Sequence, residues 1–182
     1  MGAVYFLAYR GISPLSRLIR FVTAGDYSHI GLAVARGEDG GLRLWRLADG
    51  DRPRLELGAW GKWYRPWDVR IRVFEIDAAH RPGTRVDLYR LPCTEREAEA
   101  IFDFYRKRLG APYDWLGALT SVVRATHDGK KRWFCSEIAY AACLAAGVKL
   151  LNETRAAKVT PRIFCLSPYL KRVREFETEG RA

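Results

Sequence analysis

The stretch KKRWFCSEIAYAACLAAG, residues 130–147, sets three cations and an aromatic pair directly before a cysteine, and the cysteine directly before an alanine-rich run. Alanine, leucine and glutamate favour a helix, and Gly147 is suited to end it. Cys135 therefore falls at or just before a helix start. Unpaired amides and the helix dipole favour an anion there, and Lys130, Lys131 and Arg132 add positive charge. Both effects lower a thiol pKa from its free value of about 8.5. The same amides can donate to an oxyanion, and Trp133 and Phe134 offer an apolar wall against water. A cysteine that merely packs needs none of this, although buried free cysteines are common.

A thiolate nucleophile usually works with a base, and the chain has three histidines. His80 lies in the polar turn DAAHRPG and reads as an exposed loop residue. His127 lies in the basic loop RATHDGKKR. His29 opens an apolar strand in GDYSHIGLAV, with small residues beside it that leave room. It reads either as a satisfied core histidine or, paired with Cys135, as the general base.

At 182 residues the chain fits a single domain, 1–182, with enough length for a core without disulfide staples. No apolar run approaches the roughly 20 residues of a membrane span. The opening MGAVYFLAYRG lacks a basic leader and reads as a buried strand, not a signal peptide, so a cytoplasmic or virion-associated location is expected. Four scattered cysteines without a CxxC pair read as reduced thiols. The formal charge of +10 favours anionic partners: nucleic acid, an acidic cell-wall polymer or an anionic membrane surface. There is no GxSxG, HExxH, P-loop or dinucleotide fingerprint, and no cofactor is expected.

Along the chain, VYFLAYRG reads as a strand, and SPLSRLIRFVTAG as a helix capped by Ser13, with Pro14 in its first turn and Gly25 closing it. Leu15, Leu18, Ile19 and Val22 share one face of that helix. SHIGLAVA and LRLWRLA flank the turn RGEDGG and read as a hairpin; VRIRVFEID and RVDLYRL add strands. TEREAEAIFDFYRKRLG is a helix with a Thr94–Glu97 capping box and an apolar face of Ala98, Ile101, Phe102, Tyr105 and Leu109. APYDWLGALTSVVRA predicts a turn and a short helix that Asp114 can cap, and TPRIFCLSPYLKRVREFE predicts short helix mixed with irregular chain. The order predicts an α+β fold with an antiparallel sheet packed against helices.

YSHIGLAV, APYDWLGAL and RWFCSEIAYAA, in this order, resemble the circularly permuted NlpC-type papain-like superfamily, which includes YiiX-like and phage-associated cysteine hydrolases and the lecithin:retinol acyltransferase group. The resemblance spans roughly residues 5–170. It implies a permuted papain-like fold with Cys135 as nucleophile and His29 as its base, acting on an amide in cell-wall peptide or a related isopeptide. Lipid deacylation or acyl transfer is the nearest alternative, and Trp45, Trp60, Trp63 and Trp67 are candidates for an apolar cleft. A non-catalytic phage-type structural or nucleic-acid-binding protein on the same scaffold is another.

Relatives often carry a glutamate in the second strand to orient the histidine. Here that stretch reads LRLWRLADGD, and neither Trp45 nor Arg46 can accept from an imidazole. A hairpin centred near Asp39 sets His29 opposite Asp49, which makes Asp49 the expected third catalytic residue. Asp51 is the fallback, and a dyad without an acid is a further option; a slip of one residue would turn Asp49 away. Glu137 reads as a structural helix-start carboxylate, and Tyr27 as either cleft lining or packing. His127, Cys135 and Cys143 recur at wider intervals than zinc ligands usually do, so no metal site is expected.

Overall fold

The computed structural model describes residues 2–60, 68–114, 133–152 and 156–180. The predicted helix after APYD, Trp63, Trp67, His127 and the Lys130–Arg132 cations lie outside these residues. The fold is α+β: a seven-stranded antiparallel sheet with helices against it. Its strands are β1 (Gly2–Arg10), β2 (His29–Arg36), β3 (Leu42–Leu44), β4 (Leu55–Trp60), β5 (Arg70–Glu75), β6 (Arg85–Cys93) and β7 (Lys171–Glu177). They lie in the order β5-β4-β2-β1-β6-β7, with β3 paired to the far end of β2. The helices are α1 (Pro14–Val22), α2 (Ile76–Ala79), α3 (Glu95–Arg106), α4 (Cys135–Ala145) and α5 (Pro161–Cys165). Among the described residues no helix is long and apolar enough to cross a membrane.

Period-two alternation divides the sheet's side chains between two cores. Val4, Phe6 and Ala8 of β1 and Ile30, Leu32 and Val34 of β2 face α3 and α4. Tyr5, Leu7, Tyr9, Ala33, Trp45, Ile76 and Leu88 fill the opposite face. The predicted face of α3 is buried through Ala98, Ile101, Phe102 and Tyr105, and Thr94 and Glu97 form its capping box. Leu109 falls beyond the helix end and is exposed.

Several expectations need correction. The strand read in LRLWRLA stops at Leu44, and residues Leu47–Asp49 form a turn of 3₁₀ helix. Two strands were not foreseen: β4, in the stretch LELGAW, and the edge strand β7, which takes the KRVREFE end of the last stretch; the short helix expected there forms as α5. Helix α1 is capped by Ser13 as expected, but Ala24, at φ 47°, takes the left-handed closing position expected of Gly25. No residue of α1 is buried.

Candidate functional site

Cys135 is the first residue of α4, where the leading amides of a helix lack carbonyl partners within it. Glu137, three residues past the cap Phe134, accepts from the Phe134 backbone N–H at 3.4 Å, the structural role expected of it. The cysteine is buried. Its place is made by the sheet. Strand β2 pairs with β1 as far as His29, opposite Tyr9, but with β4 only over Leu32–Val34. The first residues of β2 thus have no β4 neighbour, and the Ile30 backbone N–H is among the groups that favour a thiolate at Cys135.

His29 joins the other two parts of the site. Its Nε2 lies 2.6 Å from Glu56 Oε1, and its imidazolium favours the Cys135 thiolate. With Nε2 engaged by the carboxylate, Nδ1 is the nitrogen left for the sulfur. Glu56 stands in β4, opposite Ala33, and is fully buried. Its side chain runs along the sheet to His29 over two glycines. A Cβ on Gly31 would stand 1.9 Å from Glu56 Oε1, and one on Gly58 would stand 2.5 Å from it. The carboxylate fills the space that side chains would need at both positions.

The second carboxylate oxygen, Oε2, faces His80 Nε2 at 3.8 Å, and neither atom has a hydrogen-bond partner. His80 stacks on Tyr9, with ring centroids 4.0 Å apart. It is therefore a half-buried neighbour of the site and not the exposed loop residue expected. Tyr113 closes the other side, its hydroxyl 4.0 Å from the sulfur.

The electrostatics follow from this geometry. Burial disfavours charge on Glu56, but the His29 imidazolium, its hydrogen bond and His80 outweigh it and hold the pKa down, from 4.5 to about 2. Burial likewise opposes charge on His29, yet Glu56 and the Cys135 thiolate raise its pKa from 6.5 to about 10. Burial pushes the Cys135 thiol up, while the His29 hydrogen bond and charge, the Ile30 amide and the Tyr113 hydroxyl bring it below its ordinary value. Cys93, Cys143 and Cys165 all shift upward, chiefly through burial. Cys135 alone of the four is drawn towards the thiolate.

Asp49 is not part of this chain. The hairpin register was read correctly, since Val34 pairs with Leu44 and Arg36 with Leu42, but β3 ends before Asp49 and Tyr9 of β1 pairs with His29. Asp49 instead binds the Arg43 guanidinium at 2.7 and 2.8 Å and accepts from the Arg46 amide. Asp51 is exposed and paired with Arg174. The acid sought in β3 stands in β4 as Glu56. Tyr27 packs, hydrogen-bonded to Asp87 and Tyr89, and Trp45 sits in the far core against Tyr5.

A cavity of about 650 Å³ opens on His29 and Tyr113 and is walled by Ile12, Leu15, Ile19 and Trp60.

No protein-family model matches the chain, and no curated protein does. Among solved structures it is similar to the metalloprotein YiiX from Escherichia coli O157:H7, with a TM-score of 0.61 over 96% of this chain and 97% of that one. The sequences are 15% identical, so the likeness establishes a YiiX-like fold.

Two outcomes test the site. The depressed Glu56 pKa gives stability that is present above about 4.5 and lost as pH falls towards 2; the raised His29 pKa gives stability that is complete below about 6.5 and lost as pH rises through 10. Thermal melts of wild type and Glu56→Gln should therefore differ most between those limits, by about 3–5 kcal/mol for a buried pair left unmatched. Gly31→Ala should displace the carboxylate, cost about 1–3 kcal/mol in urea unfolding, and return the NMR-titrated His29 pKa towards about 6.5.

Proposed function

We propose that the chain is a cysteine-dependent hydrolase of permuted papain-like design that cleaves an amide through an acyl-enzyme. The observation that carries this reading is the buried line Glu56–His29–Cys135, in which Glu56 and His29 lie 2.6 Å apart and the imidazolium draws the helix-start thiol towards its anion. The thiolate attacks the acyl carbonyl, and the first amides of α4 hold the oxyanion. The His29 imidazolium gives its proton to the leaving amine. His29, now neutral, takes a proton from water, which attacks the thioester and frees the acid and Cys135. Glu56 keeps the ring oriented and favours its charged form, as the acid does in a serine-type triad.

The substrate class, a peptide or isopeptide amide of a cell wall, follows from the sequence resemblance. The apolar cavity wall of Ile12, Leu15, Ile19 and Trp60 favours a second reading, in which the acyl group comes from a lipid. A site without an acid would favour the non-catalytic structural or nucleic-acid-binding alternative, and Glu56 weakens it. YiiX is described as a metalloprotein. Among the described residues here no three His, Cys, Asp or Glu side chains are grouped to hold a metal ion. The nearest set, His29, Glu56 and His80, does not fit one, because Glu56 Oε1 and His29 Nε2 are spent on each other. No metal step is proposed.

Short- and long-chain p-nitrophenyl esters and a γ-glutamyl peptide amide, incubated with the protein and followed by peptide mapping, test the reading. An acyl adduct should appear on Cys135, with turnover reduced about 10²–10⁴-fold in His29→Ala. Adducts on Cys93 instead, or equal turnover in Cys135→Ala, would contradict it.

A further inference from the structure

Helix α1 is amphipathic by its spacing: at 100° per residue Phe21, Leu18, Val22, Leu15 and Ile19 follow one another around one side, with Ser16, Arg20 and Arg17 on the other. A helix of 9 residues has little stability of its own in water, and its apolar stripe is normally what holds it to a core. Here the stripe is covered only at its inner edge. Leu15 and Ile19 line the cavity, whereas Leu18 (49%), Val22 (37%) and Phe21 (84%) are exposed. Together with Ile12 they make four of the ten exposed large apolar side chains among the described residues, all within one short segment. That concentration marks a contact surface, since scattered single exposures are the norm.

Charge identifies what would cover it. The segment Gly11–Gly25 contains Arg17 and Arg20 and no acidic residue, and the chain as a whole carries +10. A second copy would bring like charges together. A surface that is anionic at its face and apolar beneath matches both sides of the helix. The helix is also held in place, by the Ser13 cap at one end and by the Arg162 guanidinium on the Ala24 carbonyl at the other.

We propose that α1 is an interfacial helix that seats the chain on an anionic lipid surface, with Phe21, Leu18 and Val22 inserted and the cavity mouth, through Leu15 and Ile19, turned towards the lipid. This goes beyond the hydrolase reading and does not require it, because no atom of Cys135, His29 or Glu56 takes part.

Co-sedimentation of the full chain with vesicles of phosphatidylcholine, alone or mixed with phosphatidylglycerol, tests it. Wild type and Cys135→Ser should both sediment with the phosphatidylglycerol vesicles, and less so at high salt. Leu18→Ser/Phe21→Ser, at exposed positions where circular dichroism should be unchanged, should weaken partitioning by about tenfold or more. Arg17→Glu should weaken binding to the anionic vesicles alone. The proposal is overturned if wild type stays in solution, if the double variant sediments equally, if Cys135→Ser alone abolishes binding, or if light scattering finds a dimer that the double variant dissolves.

Discussion

A carboxylate buried inside a sheet is costly unless its charge is matched within hydrogen-bond distance, and Glu56 is such a carboxylate, fully buried with His29 2.6 Å away. Much of the local architecture serves that one interaction. Gly31 and Gly58 have no side chains because the carboxylate lies across both. Tyr9 and His80 wall it from the cavity side. Pairing between β2 and β4 ends at Leu32, which leaves the edge of His29–Ile30 to the helix that brings Cys135. The charge on Glu56 thus reaches the sulfur through one imidazole.

A second buried carboxylate clarifies what is particular about the first. Asp87 in β6 is as deeply buried, but it is met by Arg10 and Arg172 and by the Tyr27 hydroxyl. Arginine stays charged at every accessible pH, so that cluster ties β1, β6 and β7 together with fixed charges. Glu56 is matched by histidine, whose charge is movable. The same device, a carboxylate buried in a sheet, is fixed structure in one place and a candidate for proton transfer in the other.

Local signals were legible in the sequence and long-range pairing was not. The capping box of α3, the position of Cys135 at the start of α4 and the strand character of β1, β2, β5 and β6 are written within a few residues and appear as read. The third residue of the site was sought in the neighbouring hairpin strand, because register can be counted there. That count fails where β1 pairs with His29 and β3 ends early. Strand β4 is short, contains a glycine and a glutamate, and lacks the alternation that would have marked it. Its usable signal was the pairing of a glutamate two residues before a glycine with a histidine two residues before another. Edge strand β7, KRVREFE, is exposed along nearly its whole length, and its charges blunt an edge while hiding a strand.

The claim at the centre is that Glu56 and His29 together hold Cys135 as a thiolate. Its most direct test is the rate of alkylation of each cysteine by a small haloacetamide across pH, resolved by peptide mass, in wild type and in Glu56→Gln. A thiolate–imidazolium pair predicts that Cys135 reacts with a midpoint well below the ordinary thiol value of about 8.5, and that the midpoint rises when the carboxylate is neutralised. If Cys135 titrates as an ordinary thiol in both proteins, the line from Glu56 to the sulfur is packing and carries no charge.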